Sequence, residues 1–362
     1  MRIAYFITPH GFGHAARAAA VMKAIHQFHP SVHFDIYTLV PPWFFEESIP
    51  GIFTYHETLT DIGLVQDTPL EVDIPATILA LQDFFPFNEQ NLIGLEKELC
   101  QSNCQLVICD ISPLGIAVGE KAKIPSILIE NFTWDWIYEP YIKDHPQFID
   151  IIRTIKYYID TANYHIQTLP TCRPDKNRSL STSPISRPPN QDRRAIRQQL
   201  GISEAEKMIL VSMGGIRQKF QFLEKLKSIP EYRFILPGSA ETSQRQNNLI
   251  LLPFHSSYYH PNLLHASDAV IGKVGYSTLS ETYHAGIPFG YVARSNFRES
   301  RALIDFIGSN LNGIKITEDT FHLGSWVEII PDLVGLPKIK RDGVNGATQA
   351  ATFILELLAA KE

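Results

Sequence analysis

Three residues stand out for the chemistry their surroundings allow: His14, Lys273 and Glu281. His10-Gly11-Phe12-Gly13-His14-Ala15-Ala16-Arg17 directly follows the apolar run Ile3 to Ile7. Gly11 and Gly13 permit positive φ and close backbone approach. The helix that follows offers unpaired N–H groups and the positive end of its dipole, which favour a phosphate or a developing anion. His14 at the helix start is a candidate general base, because imidazole exchanges a proton near neutral pH. The same dipole disfavours imidazolium and so keeps the ring able to accept. The plainer alternative is a tight βα turn with a capping histidine. The GxGxxG spacing of a dinucleotide site is absent.

Gly272-Lys273-Val274-Gly275-Tyr276-Ser277-Thr278-Leu279-Ser280-Glu281 repeats that arrangement further along the chain. Gly272, Gly275, Ser277 and Lys273 are placed to hold a diphosphate, although the GxxxxGK[ST] order of a P-loop is missing. Glu281 lies about one turn inside the helix, where its carboxylate can accept both hydroxyls of a ribose. A surface glutamate near a helix N-terminus is the alternative. Ser212-Met213-Gly214-Gly215 ends another strand, and Gly214 and Gly215 can add amides to the same phosphate. Asn296-Phe297-Arg298-Glu299-Ser300 offers Glu299 to sugar hydroxyls and Arg298 to a phosphate. Asn131-Phe132-Thr133-Trp134-Asp135-Trp136-Ile137-Tyr138 groups two of the four tryptophans with Asn131 and Asp135. It is either an acceptor-side sugar platform or a packed loop covering a sheet. Asp110 ends a strand as well, as a second candidate base or as the N-cap of the next helix. No DxD motif occurs, so no metal site is expected.

These loops need strands to place them. Ile3–Ile7, His33–Leu39, Gln105–Asp110 and Pro125–Ile129 read as strands separated by helices, with one long helix expected from about Ile74 to Cys100. After a Pro-rich stretch the pattern restarts with strands at Met208–Ser212, Arg233–Leu236, Leu249–Leu252, Ala269–Ile271 and Pro288–Val292. Apolar strands alternating with helices imply parallel sheets covered on both faces. In such sheets ligands bind beyond the carboxyl ends of the strands. The expected organisation is an N-terminal doubly wound domain over 1–170, a linker over 171–190 and a C-terminal domain over 191–345. Residues 346–362 form a helix returning to the first domain. The fold class is α/β, two facing Rossmann-like domains with a cleft between them.

Composition excludes several classes. The chain has 362 residues, 44% hydrophobic and 19% charged, ordinary for a globular protein of about two domains. Its net charge of −6 argues against a nucleic-acid binder. Residues 171–200 carry seven Arg or Lys against two Asp, which reads as a solvated linker. Cys100, Cys104, Cys109 and Cys172 form no CxxC pair and read as reduced thiols. No apolar run reaches the ~18 residues of a membrane helix, and the start does not read as a signal peptide. The chain is expected to be cytoplasmic, without supported membrane contact.

The motifs together resemble the GT-B glycosyltransferase superfamily, through the His14 loop and Ser280-Glu281 followed by Ala285-Gly286-Ile287-Pro288. A more distant likeness is to the N-acetylglucosaminyltransferase that completes the peptidoglycan lipid precursor. A nearer one is to the glycosyltransferase-like N-terminal region of plant L-arabinokinases. It rests on His10–Arg17, Asp61-Ile62-Gly63-Leu64-Val65-Gln66, Asn131–Tyr138 and Gly272–Tyr276. The resemblance implies a metal-independent glycosyltransferase with a nucleotide-sugar co-substrate, a UDP-sugar by family habit, and no further cofactor. Glu281 would bind ribose, and uracil would lie near Phe254 and His255. His14 or Asp110 would deprotonate a hydroxyl acceptor. Kinase activity is not implied, since the galactokinase-like half lies outside the resemblance. Glu299-Ser300 stand where the superfamily carries an Asp/Glu-Gln pair. The same fold hosts nucleotide-sugar hydrolases and epimerases, and a nucleotide-sugar sensor without turnover is a further alternative.

Overall fold

The computed structural model describes residues 1–49, 53–68, 71–214, 220–294 and 297–360. The chain divides into two compact units, Met1–Ile185 with Val344–Glu362, and Ser186–Gly343. The first unit carries strands β1 (Arg2–Ile7), β2 (His33–Thr38), β3 (Phe53–Glu57), β4 (Gln66–Thr68), β5 (Glu71–Val72), β6 (Leu106–Asp110), β7 (Ser126–Glu130), β8 (Tyr164–Thr168) and β9 (Leu180–Thr182). Seven of them form a parallel sheet in the order β3-β2-β1-β6-β7-β8-β9, while β4 and β5 make a small antiparallel pair.

The apolar runs of β1, β6 and β7 are buried because helices cover both faces. Ile3, Tyr5 and Ile7 share a core with the Ala-rich helix Phe12–Phe28. Ala4 and Phe6 face the other way, into a core with Leu114 and Val118 of the helix Pro113–Ala122. The last helix, Gly346–Ala359, sets Ala347, Ala350, Ala351 and Ile354 into the first of these cores. A Cβ on Gly346 would lie 1.9 Å from the Ser183 carbonyl oxygen, so glycine alone permits this seating.

Two sequence expectations change here. The single helix over 74–100 is two, Ile74–Phe84 and Glu89–Gln101. Pro86 has no N–H and disfavours a helical residue before it, and Phe85 is extended at φ −115° and ψ 139°. Asn88 then caps the second helix by accepting from the Gln90 and Asn91 amides. The stretch 171–190, expected as a linker, is shared between the units. Its Leu180–Thr182 is an edge strand on β8, with Pro174 and Pro184 outside the ladder where proline is tolerated.

The second unit carries β10 (Lys207–Ser212), β11 (Tyr232–Pro237), β12 (Gln244–Gln246), β13 (Leu249–Leu252), β14 (Ala269–Lys273), β15 (Phe289–Val292) and β16 (Gly313–Ile316). Their order is β12-β13-β11-β10-β14-β15-β16, parallel except for β12. Met208 and Leu210 point into one core, and Ile209 and Val211 into the other.

Each sheet is wound outward from its first strand in both directions. The reversal falls between β1 and β6 in the first unit and between β10 and β14 in the second. Strand ends at such a reversal leave a crevice, where ligands of open α/β sheets bind. Asp110 stands opposite Ile7 at the first, and Gly272 opposite Ser212 at the second.

Candidate functional site

At the first reversal the chain turns from β1 into the helix Phe12–Phe28 through Gly11, whose φ is 82° and whose position lacks a side-chain cap. His14 and Arg17 lie three residues apart on this helix and so share a face. Both reach Asp110, which is completely buried. His14 Nδ1 is 2.8 Å from Asp110 Oδ1. Arg17 donates from Nη2 to Oδ1 at 2.6 Å and from Nε to Oδ2 at 2.7 Å. Arg17 Nη1 donates to Asn131 Oδ1, and Asn131 Nδ2 donates to the Thr168 and Pro170 carbonyls at 2.7 and 3.1 Å.

Burial pushes the Asp110 carboxyl up, but the Arg17 charge and the bonds from His14 and Arg17 outweigh it and hold the group below its ordinary value. An ionised carboxylate only accepts. His14 Nδ1 therefore carries the proton, and Nε2 is the basic nitrogen. This is the geometry of a base held by an orienting carboxylate. Asp110 does not cap the next helix. That N-cap is Ser112, whose hydroxyl donates to the Thr60 carbonyl at 2.9 Å.

At the second reversal the carboxylate comes from a helix. Glu281 is buried within Tyr276–Ala285. Its Oε1 accepts from Arg187 Nε at 3.3 Å and Nη2 at 3.2 Å, and its Oε2 lies 3.0 Å from His260 Nδ1. His260 Nε2 lies 3.1 Å from Ser212 Oγ at the end of β10. Burial raises the Glu281 carboxyl, while the Arg187 charge and the His260 bond prevail and keep it low. A Cβ on Gly272 would lie 1.7 Å from the Ser212 carbonyl oxygen. Gly272 is thus required by the close approach of β14 to β10.

No protein-family model matches the chain. An L-arabinokinase of Arabidopsis thaliana is 27% identical over 360 residues, which is 98% of this chain and 34% of that protein. The chain therefore spans about a third of the length of the curated relative it matches. A UDP-glucosyltransferase from Polygonum tinctorium has a similar structure, with a TM-score of 0.62 at 11% identity, over 99% of this chain and 93% of that one. MurG of Acinetobacter baumannii aligns with a TM-score of 0.51 at 13% identity, over 99% of both chains.

The fold is that of the GT-B glycosyltransferases.

In the second GT-B unit, Gly275 is the N-cap of Tyr276–Ala285 without a side-chain bond, and Ser277 is the second residue of that helix. Gly214, at φ 77°, is exposed with open space where a Cβ would stand. Gly215 and Asn296 lie outside the described residues. Lys273 ends β14 and is half-buried, and desolvation and the Arg294 charge, partly opposed by Glu299, lower its ammonium to about 7. Glu299, expected to meet sugar hydroxyls, accepts from Arg294 Nη2 at 2.8 Å. Phe254 packs near Gly238, and His255 is exposed.

In the first GT-B unit the aromatic loop turns inward. Asn131, Trp134 and Asp135 are all buried, so none of the three presents the acceptor-side surface expected of it. Large aromatic rings gain more from burial than a covering loop gains from exposing them. Trp134 stacks on Tyr138 with centroids 5.8 Å apart, and its Nε1 donates to Asp61 Oδ2. Burial lifts the Asp61 carboxyl to about 7, against the bonds it accepts from Ile62, Trp134, Thr8 and Gly63. Of the glycines before His14, Gly11 is the N-cap at φ 82°, whereas Gly13 lies inside the helix as its second residue and is not among the positive-φ glycines, so the helix begins three residues earlier than the Ala15 expected.

Arg17, Arg187 and His260 were not singled out as site residues from the sequence. Arg17 had a usable signal, a charge three residues from His14 in an Ala-rich helix. Arg187 lies in the basic run read as solvated, yet it is buried, as is Arg197, which reaches Asp268 at 3.3 Å. Among the described residues no group of three or more His, Cys, Asp or Glu is arranged to hold a metal, and no helix is long and apolar enough to cross a membrane.

Proposed function

We propose that the chain is a glycosyltransferase that moves a sugar from a UDP-sugar to a hydroxyl acceptor. The observation that carries this reading is the His14–Asp110 pair at the β1 and β6 strand ends, with Arg17 fixing the carboxylate. His14 Nε2 takes the proton of the acceptor hydroxyl as its oxygen bonds to the anomeric carbon. The bond from that carbon to the diphosphate breaks, and UDP leaves with the electron pair. Asp110 stabilises the imidazolium that forms. Because Asp110 is buried and already accepts three bonds, it orients the base and does not itself receive the acceptor proton.

The nucleotide sugar is a co-substrate of the second unit, with no metal or resident cofactor assigned. Lys273 and the N-terminal end of the helix Tyr276–Ala285 neutralise the leaving diphosphate, and Glu281 receives the ribose. Phe254 and His255 flank the base. The GT-B fold and the UDP-glucosyltransferase among the similar structures support this assignment. A general base contributes about 10²–10⁴-fold. Fixed donors at the leaving group are the larger contribution in most such sites.

A panel of UDP-sugars, incubated with and without alcohol acceptors and read by UDP release, tests the reading. UDP appearing only with an acceptor supports transfer. UDP released in water alone indicates a hydrolase, and binding without release indicates a sensor. Ligand at 100 times Kd adds about 2.7 kcal/mol of stability, so a thermal-shift screen finds the donor first.

A further inference from the structure

Glu281 meets three donors before any ligand arrives. Arg187 Nε and Nη2 both aim at Oε1, and His260 Nδ1 aims at Oε2. A carboxylate offers about four acceptor positions, two on each oxygen. Oε1 is therefore full, and Oε2 keeps one position.

Neither donor is loosely held. The low-lying Glu281 carboxylate requires the proton on His260 Nδ1, so Nε2 accepts from the Ser212 hydroxyl. His260 is anchored at both ring nitrogens and at the start of the helix His260–Ala266. Arg187 lies over the Tyr259 ring, 5.2 Å from its centroid. The His260 side chain is 27% exposed and that of Glu281 is 3%, so the open edge of this network is its histidine edge.

A carboxylate with both oxygens open receives both vicinal hydroxyls of a ribose, as the sequence suggested for Glu281. The geometry found here does not leave room for that. We propose that His260 restricts Glu281 to a single ribose hydroxyl and thereby sets which nucleotides the second unit accepts. The inference rests on the ribose reading of Glu281 given above. His260 acts through Glu281 and is a specificity-determining, positioning residue.

Calorimetric titration with UDP, 2′-deoxy-UDP and 3′-deoxy-UDP tests it. For the unmodified protein one deoxy analogue should bind about 10- to 150-fold more weakly than UDP, the loss of one bond to a charged group. The other should bind within about twofold of UDP. His260→Ala opens the second position on Oε2, so both analogues should then lose affinity. His260→Asn, whose amide replaces the Nδ1–H donor, should keep the original pattern. Loss with both analogues on the unmodified protein would overturn the inference, as would an unchanged pattern in a folded His260→Ala. Should His260→Ala not fold, the unmodified protein and His260→Asn still decide. Unchanged UDP affinity in Glu281→Gln would instead remove the ribose reading itself, and the inference with it.

Discussion

The two strand reversals hold the same trio of residue types, a buried carboxylate with an arginine and a histidine, but they differ in how the carboxylate is bonded. In the first unit Arg17 grips both oxygens of Asp110, and His14 adds a third bond. The carboxylate is enclosed, and its effect passes through the imidazole. In the second unit Arg187 concentrates on one oxygen of Glu281, and Oε2 is met by His260 alone. In the same unit Lys273 is lowered by burial and by the Arg294 charge, with Glu299 opposing them. In the proposed function the first arrangement orients a base and the second binds the nucleotide. The same buried residue types thus differ in how many acceptor positions the arginine takes, which is the basis for assigning one to proton transfer and the other to recognition in the proposed function.

The largest effect should come from removing the base. His14→Ala should lower kcat by about 10²–10⁴-fold while leaving the Arg17–Asp110 pair and the melting temperature nearly unchanged. A large fall in melting temperature with near-normal kcat in the folded fraction would make His14 structural and erase the contrast between the units.

Next come the carboxylates as structural groups. Asp110→Ala strands a buried guanidinium and should cost about 3–5 kcal/mol in denaturant unfolding. Replacing Arg17 and Asp110 together, by Met and Leu, should recover most of that loss. If Asp110→Ala unfolds at the unmodified midpoint, the pair is not the buried ion pair described.

Lys273 sharpens the other side of the comparison. Lys273→Met should weaken UDP binding by about 10- to 150-fold. The pH dependence has a definite sign. The folded ammonium titrates at about 7, and the unfolded one near its ordinary value of about 10.4. Between these the unfolded chain binds a proton that the folded chain does not, so stability rises with pH across that window. Lys273→Met should abolish the rise. Diphosphate favours the ammonium, so UDP binding should take up a proton and weaken as pH climbs past 7. A UDP affinity that stays flat from pH 7 to 9 would place the diphosphate elsewhere.

Asp61 lies outside the comparison and tests the burial of the first unit alone. Its folded carboxyl titrates at about 7 and its unfolded one near about 3.9, so the folded state holds the extra proton in between. Stability should fall as pH rises from about 4 to 7 and then level off. Asp61→Asn should flatten that slope, as read from denaturation midpoints across the range.

Much of the fold was legible because its signals are local. The runs of β1, β6, β10 and β14 are continuous and apolar, and the glycine turns after β1 and β14 sit at strand ends. That placement is why His14, Asp110 and Glu281 could be picked out as chemistry. What escaped depends on contacts distant in sequence. Arg17 meets a carboxylate 93 residues away, and Arg187 one 94 residues away. Neither pairing leaves a local mark, and the prolines around Arg187 read as a linker. Strand β9 has three residues between prolines, too few for alternation to register. The Trp134 loop had equal claims as a sugar platform and as a packed cover, and only its burial separates the two.

The most direct test is one quantity, the calorimetric Kd of UDP, compared among the unmodified protein, His14→Ala and Glu281→Gln. With the nucleotide in the second unit and the base in the first, His14→Ala should bind UDP within about twofold of the unmodified protein. Glu281→Gln should bind about 10- to 150-fold more weakly. Equal losses in both variants, or full affinity in Glu281→Gln, would contradict that division of labour.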